Sequence, residues 1–463
     1  MSAGRAADRA TREGARKPCA DVADAVDEPA GTTASGAAAD AAVQAVENAD
    51  LQRQRLEGWV KNLRPRFIDG NRVRLLQGGT EFFPALEEAL RAARREVLLE
   101  TYLFEDDPSG RRIAQALADA AQRGVRVHVT VDGFGGGQLR VDLHRMMRDA
   151  GVRIEIFRPE RNRYAINRQR LRRLHRKIAV VDGRVAFVGG INILDDYYDP
   201  NHGDLDQPRL DFTTRLEGPI VRPIHYAAHR HWWSLALVNR SLRRSGAPPD
   251  KHRLRRFRIP EPEAPRAQAA GDVRAMFVLR DNFRFRHTIE RRYLWAIRRA
   301  RREILIANAY FFPGARFRRA LIGAARRGVR VRLLLQGRVE YRLQHHASQA
   351  LYDELLRAGI EIVEYERSFL HAKVAVIDDW ATVGSSNIDP FSLLLARESN
   401  IVIDDARFAA HLRERLEAAV AHGGRPVTLR HVARRSWPVR AFNWFAFGVL
   451  RFGVALTGVS GRY

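Results

Sequence analysis

The chain has one cysteine, five lysines and no long uncharged apolar run in its 463 residues. A lone Cys19 rules out an intrachain disulfide and any cysteine-cluster metal site, and fits a reducing cytoplasmic setting. No N-terminal apolar stretch resembles a signal peptide, and no charge-free run of about 20 apolar residues marks a membrane span. Acid is the scarcer charge: 79 Lys+Arg face 54 Asp+Glu, a net of +25. The first 50 residues run against this, with 5 basic and 9 acidic side chains, so the remainder holds 74 basic against 45 acidic. Such a surface seeks polyanions, either nucleic acid or a membrane rich in acidic lipid.

Two of the scarce lysines, Lys177 and Lys373, fall in the same pattern. His175, Lys177 and Asp182 form one H-x-K-x4-D stretch; His371, Lys373 and Asp378 form another. A glycine turn and an asparagine follow each, ending at Asn192 and Asn387. Residues i and i+2 of a strand share a face, so each histidine points the same way as its lysine. Histidine can serve as nucleophile or acid, and a compact ammonium beside it can hold a phosphate. Two such pairs in one chain point to one phosphoryl-transfer site built from two halves.

The surrounding sequence repeats as well. The segments starting at Ala93, Ala121 and Ala150 return at Ala300, Ala325 and Ala358, which is 204 to 208 residues later. Strands alternate with helices in both copies, for example a buried strand from Glu96, a helix from Gly110 to Arg123 and a strand from Val125 to Asp132. That alternation predicts an α/β layer structure, present as two copies of one domain. The expected division is a disordered tail at 1–50, a first domain at 51–240, a Pro- and Arg-rich linker at 241–270, a second domain at 271–430 and a C-terminal segment at 431–463. That last segment is rich in aromatics, interrupted by Asn443 and Arg451 and preceded by Arg434 and Arg435. It reads as an interfacial segment lying among lipid headgroups.

A phosphodiester's charge repels nucleophiles, so the site must neutralise it. Lys177 and Lys373 are expected to clamp the non-bridging oxygens, with Asn192 and Asn387 donating amide hydrogens. One histidine attacks phosphorus and the other moves the proton. With these donors present the chemistry requires neither metal nor cofactor. Each imidazole also needs a group to fix its tautomer. Asp211, nineteen residues after Asn192, is assigned to the first motif, and Glu398, eleven after Asn387, to the second. Asp182 and Asp378 complete the motifs but fall on the opposite strand parity from the lysines, which suits a turn or an ion pair better than chemistry.

Three further features are weaker. The basic approach at 158–173 reads as a solvated loop or as an anion-recruiting rim. His225, His229 and His231 on one helix read as packing and surface residues, because no carboxylate or cysteine nearby in sequence completes a metal set. The glycine run from Gly133 to Gly137 lacks the G-K-[ST] of a phosphate loop and reads as a flexible loop near the site.

This constellation resembles the phospholipase D superfamily over residues 71 to about 430. The longer stretches starting at Glu100, Arg215, Ala307 and Trp380 look like bacterial cardiolipin synthases, the B type most of all. The resemblance implies two phospholipase D-like α/β/α sandwich domains, related by a pseudo-twofold and sharing one active site. It also implies transfer of a phosphatidyl group between two phosphatidylglycerol molecules with release of glycerol, His175 as nucleophile and His371 as acid and base. The implied partners are phosphatidylglycerol and an anionic membrane surface, with the enzyme peripheral on the cytoplasmic face of the cell membrane and no nucleic acid bound. Handing the intermediate to water, as a phospholipase D does, is the alternative; a nucleic-acid phosphodiesterase is a more distant one. The copies differ in two respects: the second motif's turn is one residue shorter, and Gly190 stands where the second copy has Ser385.

Overall fold

The computed structural model describes residues 63–135, 141–159, 172–245, 249, 259, 262, 268–282 and 285–456. The tail at 1–50, most of the linker and most of the basic approach lie outside these residues. The first half runs β1 (Ile68–Gln77), α1 (Gly78–Ala92), β2 (Glu96–Thr101), α2 (Pro108–Gln122), β3 (Arg126–Asp132), α3 (Val141–Asp149) and β4 (Arg153–Phe157). It continues with the motif hairpin β5 (Lys177–Val181) and β6 (Val185–Gly189), the small hairpin β7 (Tyr198–Asp199) and β8 (Gly203–Asp204), then β9 (Phe212–Glu217) and α4 (Val221–Ser245). Helix α4 therefore continues past 240, where the linker was expected to begin.

The second half repeats this order. It runs β10 (Val273–Arg280), α5 (Thr288–Arg299), β11 (Glu303–Asn308), α6 (Ala315–Arg326), β12 (Arg330–Gln336), α7 (Arg342–Gln349), α8 (Tyr352–Arg357) and β13 (Glu361–Tyr365). The second motif hairpin, β14 (Lys373–Ile377) and β15 (Trp380–Gly384), leads through α9 (Pro390–Leu394) to β16 (Glu398–Asp404) and α10 (Ala406–Gly423). The chain closes with β17 (Gly424–Val427), α11 (Leu429–Ala433) and α12 (Trp437–Leu456).

Within the sheet the first half is ordered β4-β3-β2-β5-β6-β9-β1 and the second β13-β12-β11-β14-β15-β16-β10, the same order element for element. The two sandwich halves are joined edge to edge: β1 and β10 pair antiparallel, Ile68 against Ala275 and Asn71 against Val273, giving one continuous 15-stranded sheet. The buried Asn71 amide pins this seam by donating to the Ile68 and Val273 carbonyls. β2-β3-β4 and β11-β12-β13 are parallel and carry helical crossovers, whereas the motif strands join antiparallel.

Period-2 alternation divides the apolar residues among three cores. Val97 and Leu99 of β2 enter the outer core of the first half, while Leu98 enters a central core shared with the second half. Ile304 and Ile306 of β11 enter the other outer core, and Leu305 and Ala307 the shared one. Helices α4 and α10 both contribute to the shared core. Truncating Leu98 there to alanine costs about 2–5 kcal/mol. Local rules agree with this arrangement: α2 starts at Pro108 after Asp107, whose carboxylate accepts from Gly110 N at 2.7 Å.

Candidate active site

The two motif histidines sit just before β5 and β14, where the halves meet. His175 N donates to Arg397 O and His371 N to Leu210 O, both at 2.9 Å. Each motif therefore hydrogen-bonds to the segment that leads into the other half's carboxylate. The sequence assignment of Asp211 to His175 and Glu398 to His371 is consequently reversed. His175 Nδ1 lies 3.0 Å from Glu398 Oε1, and His371 Nδ1 lies 2.6 Å from Asp211 Oδ2. The cause is the shared core: β16 packs across the pseudo-twofold against β6, so each carboxylate meets the opposite motif.

Both Nδ1 atoms are thus engaged, which leaves both Nε2 atoms for chemistry. His175 Nδ1 also faces the Ser385 carbonyl at 3.1 Å. A carbonyl only accepts, so Nδ1 carries the hydrogen and Nε2 the lone pair. Asp211 also accepts from Phe212 N at 2.7 Å, and Glu398 accepts from Ser385 Oγ at 2.5 Å. This accounts for the Gly190–Ser385 difference: a Cβ on Gly190 would lie 2.3 Å from Asp211 Oδ1, whereas in the second copy the serine supports the carboxylate.

The lysines are buried beside the histidines. Lys177 Nζ donates to His175 O at 2.8 Å, and Lys373 Nζ donates to His371 O. Burial lowers the Lys177 ammonium to about 7 and the Lys373 ammonium to about 8, with nearby carboxylates pulling them back up. Burial likewise raises Asp211 to about 7, against the pull of Lys373. It pushes His371 well below its ordinary range, reinforced by Lys373, and lowers His175 despite Glu398.

Asn192 is buried, and its amide oxygen accepts from Leu103 N at 3.2 Å, leaving its NH2 for other partners. Asn387 is buried with its amide oxygen unpartnered among the described residues. Asp182 and Asp378 do not join the catalytic set. They follow β5 and β14 at the end away from the histidines, roughly 16 Å along five strand residues. Asp182 accepts from the backbone N–H groups of Arg94, Arg95 and Glu96 at 2.8–2.9 Å, and Asp378 from those of Arg301, Arg302 and Glu303 at 2.9–3.0 Å. Both have positive φ, 52° and 51°, in the turn of the motif hairpin. They are turn-fixing residues, as their parity suggested.

Some contributors were not anticipated. The Tyr102 ring centroid lies 5.2 Å from that of His175, with Lys177 Nζ 5.5 Å from the same ring. Asp132 accepts from Leu174 N at 2.8 Å, and Gln336 from Leu370 N at 3.0 Å, so each supports the residue just before a motif histidine. Their signal was available: both end the strands aligned by the internal repeat. His225, His229 and His231 are all buried, not at the surface; His225 meets Glu96 and His231 meets Glu100, both at 2.8 Å. Among the described residues no group of three or more His, Cys, Asp or Glu side chains could hold a metal.

Residues 86–204 and 293–420 match the family model described as cardiolipin synthase, PLD-like domain. The chain belongs to the phospholipase D-like cardiolipin synthase family. Cardiolipin synthase B of Escherichia coli strain K12 is 37% identical over 402 residues, covering 84% of this chain and 90% of that one. Cardiolipin synthase A of Pseudomonas putida strain GB-1 is 32% identical over 353 residues, covering 75% and 68%. The crystal structure of phosphatidylserine synthase from Haemophilus influenzae Rd KW20 matches with a TM-score of 0.58 at 12% identity, over 89% of this chain and 99% of that one, a likeness of fold. As a member of the cardiolipin synthase family the chain is an enzyme of the phospholipase D superfamily, a phosphatidyltransferase.

Proposed function

We propose that the enzyme makes cardiolipin from two molecules of phosphatidylglycerol, through a phospho-histidine at Nε2 of His175. The observation that carries this reading is the crossed pairing of each motif histidine with a carboxylate of the other half. In the first step the Nε2 lone pair of His175 attacks phosphorus, a P–N bond forms, and the P–O bond to the leaving glycerol breaks. His371 gives its Nε2 proton to that oxygen. In the second step a glycerol hydroxyl of another phosphatidylglycerol gives its proton back to His371 and attacks phosphorus, and the P–N bond breaks. Lys177, Lys373 and the Asn192 and Asn387 amides hold the non-bridging oxygens throughout. The division of labour follows the surroundings: two acceptors hold His175 in the nucleophilic tautomer, while His371 shares a proton with a carboxylate raised to about 7.

The lipid arrives from a membrane, and α12 is suited to meet it. Its Asn443, Ala446, Phe447 and Leu450 pack inward, with Asn443 Oδ1 2.8 Å from His346 Nδ1 on α7. The opposite face presents Trp437, Trp444, Phe445 and Phe452, each at least 59% exposed, and Arg440 and Arg451 are exposed along it. No helix among the described residues is long and apolar enough to cross a membrane. Aromatic rings flanked by arginines fit the headgroup layer, and the arginine-rich surface favours the anionic cytoplasmic leaflet. The test is purified protein with phosphatidylglycerol vesicles, followed by product analysis. Cardiolipin and glycerol in equal amounts are expected; phosphatidic acid alone would assign a hydrolase.

A further inference from the structure

The carboxylates that face the two histidines stand in different company. β10 runs antiparallel to β16 with Arg280 opposite Glu398, so the two side chains leave the same face of the sheet as cross-strand neighbours. In the first half β1 runs beside β9 in the matching register, and Gly78 N donates to Asp211 O at 2.9 Å. The place that Arg280 fills beside Glu398 is therefore held by a glycine beside Asp211. No side chain fits there: Gly78 has φ +65°, and a Cβ on it would meet Asp196 Oδ2 at 2.8 Å.

Arg280 is 1% exposed. Its Nη1 donates to the Ala396 carbonyl and to Asn282 Oδ1, the latter at 3.2 Å, while Nε and Nη2 are buried without a partner among the described residues. Arg176, the arginine buried inside the first motif, differs: its Nη2 lies 3.0 Å from Glu100 Oε2, which balances its charge. A buried guanidinium with donors unused is costly to the fold, so it calls for a role beyond packing. Through Ala396 that role reaches His175. Ala396 leads into Arg397, whose carbonyl accepts from His175 N at 2.9 Å, and then into Glu398, whose Oε1 lies 3.0 Å from His175 Nδ1. Arg280 thus fixes the turn that holds the histidine at two atoms. Its charge and that of Glu398 attract, helped by Asp281 and opposed by Arg286 and Arg172.

We infer that Arg280 is a positioning residue for the nucleophile: by pinning Ala396 and facing Glu398, it keeps that carboxylate aligned on His175 Nδ1. The inference rests on the reading of His175 as the nucleophile and names what in the fold selects it. Asp211 has no side-chain brace from the neighbouring strand, because Gly78 stands there. One arginine, present in one copy of the repeat and sterically excluded from the other, therefore separates the work of two otherwise matching histidines.

The test follows p-nitrophenol release from a phosphatidyl-p-nitrophenol donor in mixed micelles, with full-length protein in excess over donor. That leaving group needs no proton from His371, so the rate reads formation of the His175 adduct alone. Arg280→Met, which removes donor and charge, should lower the saturating rate about 10–100-fold and leave the half-saturating concentration within about twofold. Arg280→Lys keeps a donor and the charge and should stay within about threefold of wild type. In Arg280→Met combined with Glu398→Gln the losses should fall well short of their product, because both act on one contact. Asn282→Ala, which removes only an acceptor that aims the guanidinium, should cost about three- to tenfold and serves if Arg280→Met does not fold. An unchanged rate in Arg280→Met or in Asn282→Ala, a lysine variant as slow as the methionine one, or losses that multiply in the double variant would each overturn the assignment. A wild-type adduct on the His371 peptide would instead overturn the choice of His175 beneath it.

Discussion

Exchanging each carboxylate for its amide separates the two halves of the site. His371 Nδ1 has a single acceptor among the described residues, Asp211 Oδ2 at 2.6 Å. In Asp211→Asn the amide can turn its NH2 toward Nδ1, which places the imidazole hydrogen on Nε2 in the resting state and removes the acceptor needed to take the proton from the incoming alcohol. The analogous change in a serine-protease triad lowers turnover about 10⁴-fold, so a loss of roughly 10³–10⁴, or about 4–5.5 kcal/mol, is expected. His175 is held differently. Besides Glu398, the Ser385 carbonyl at 3.1 Å fixes its tautomer and survives Glu398→Gln. Only the charge and one hydrogen bond are lost, which sets the expected cost at about 10–100-fold, or about 1.4–2.7 kcal/mol. Initial rates of cardiolipin formation in phosphatidylglycerol vesicles, with melting curves to match folded protein, measure both. Equal losses, or a larger loss in Glu398→Gln, would refute the reasoning from acceptor number.

Five other outcomes follow from the structure. The Lys177 and Lys373 ammonium groups, at about 7 and 8, lose their charge as pH rises, so kcat/KM for the anionic donor should decline above about pH 8; a flat profile to pH 10 contradicts this. Asp182→Ala or Asp378→Ala should lower unfolding free energy by about 2–3 kcal/mol through three lost backbone hydrogen bonds, with asparagine milder because it tolerates positive φ. Burial pushes the Asp378 carboxyl up, but the backbone N–H groups outweigh it and hold the value low, so its stabilisation is present above the ordinary carboxylate range and lost as pH falls through the folded value, which acid unfolding of wild type and Asp378→Asn would read. Gly190→Ala should displace the Asp211 carboxylate, since the new Cβ would lie 2.3 Å from Oδ1, and should slow turnover as Asp211→Asn does. Replacing Trp444 and Phe445 by serine should weaken sedimentation with anionic vesicles by roughly tenfold per ring; unchanged binding would remove α12 from the membrane contact.

Much of the architecture was legible because the chain states it twice. The repeats at 204 to 208 residues and the alternation of helix and strand predict two matching halves, and the strand order shows them. The parity of Asp182 and Asp378 was enough to set them apart from the lysines. The partner of each histidine was not legible. Asp211 and Glu398 were recognisable as carboxylates, but sequence distance assigned them within halves, and only the packing of β16 against β6 crosses them over. The continuous sheet was hidden for the same reason, since the β1–β10 seam joins residues about 200 positions apart.

The central claim is that one histidine bonds the phosphatidyl group while the other moves protons. Rapid quenching of enzyme turning over a phosphatidyl-p-nitrophenol donor, followed by peptide mapping of the phosphatidyl adduct, tests it most directly. The adduct is expected on the peptide containing His175, and Asp211→Asn should increase its yield by slowing the second step. An adduct on the His371 peptide, or turnover with none on either, would contradict the account.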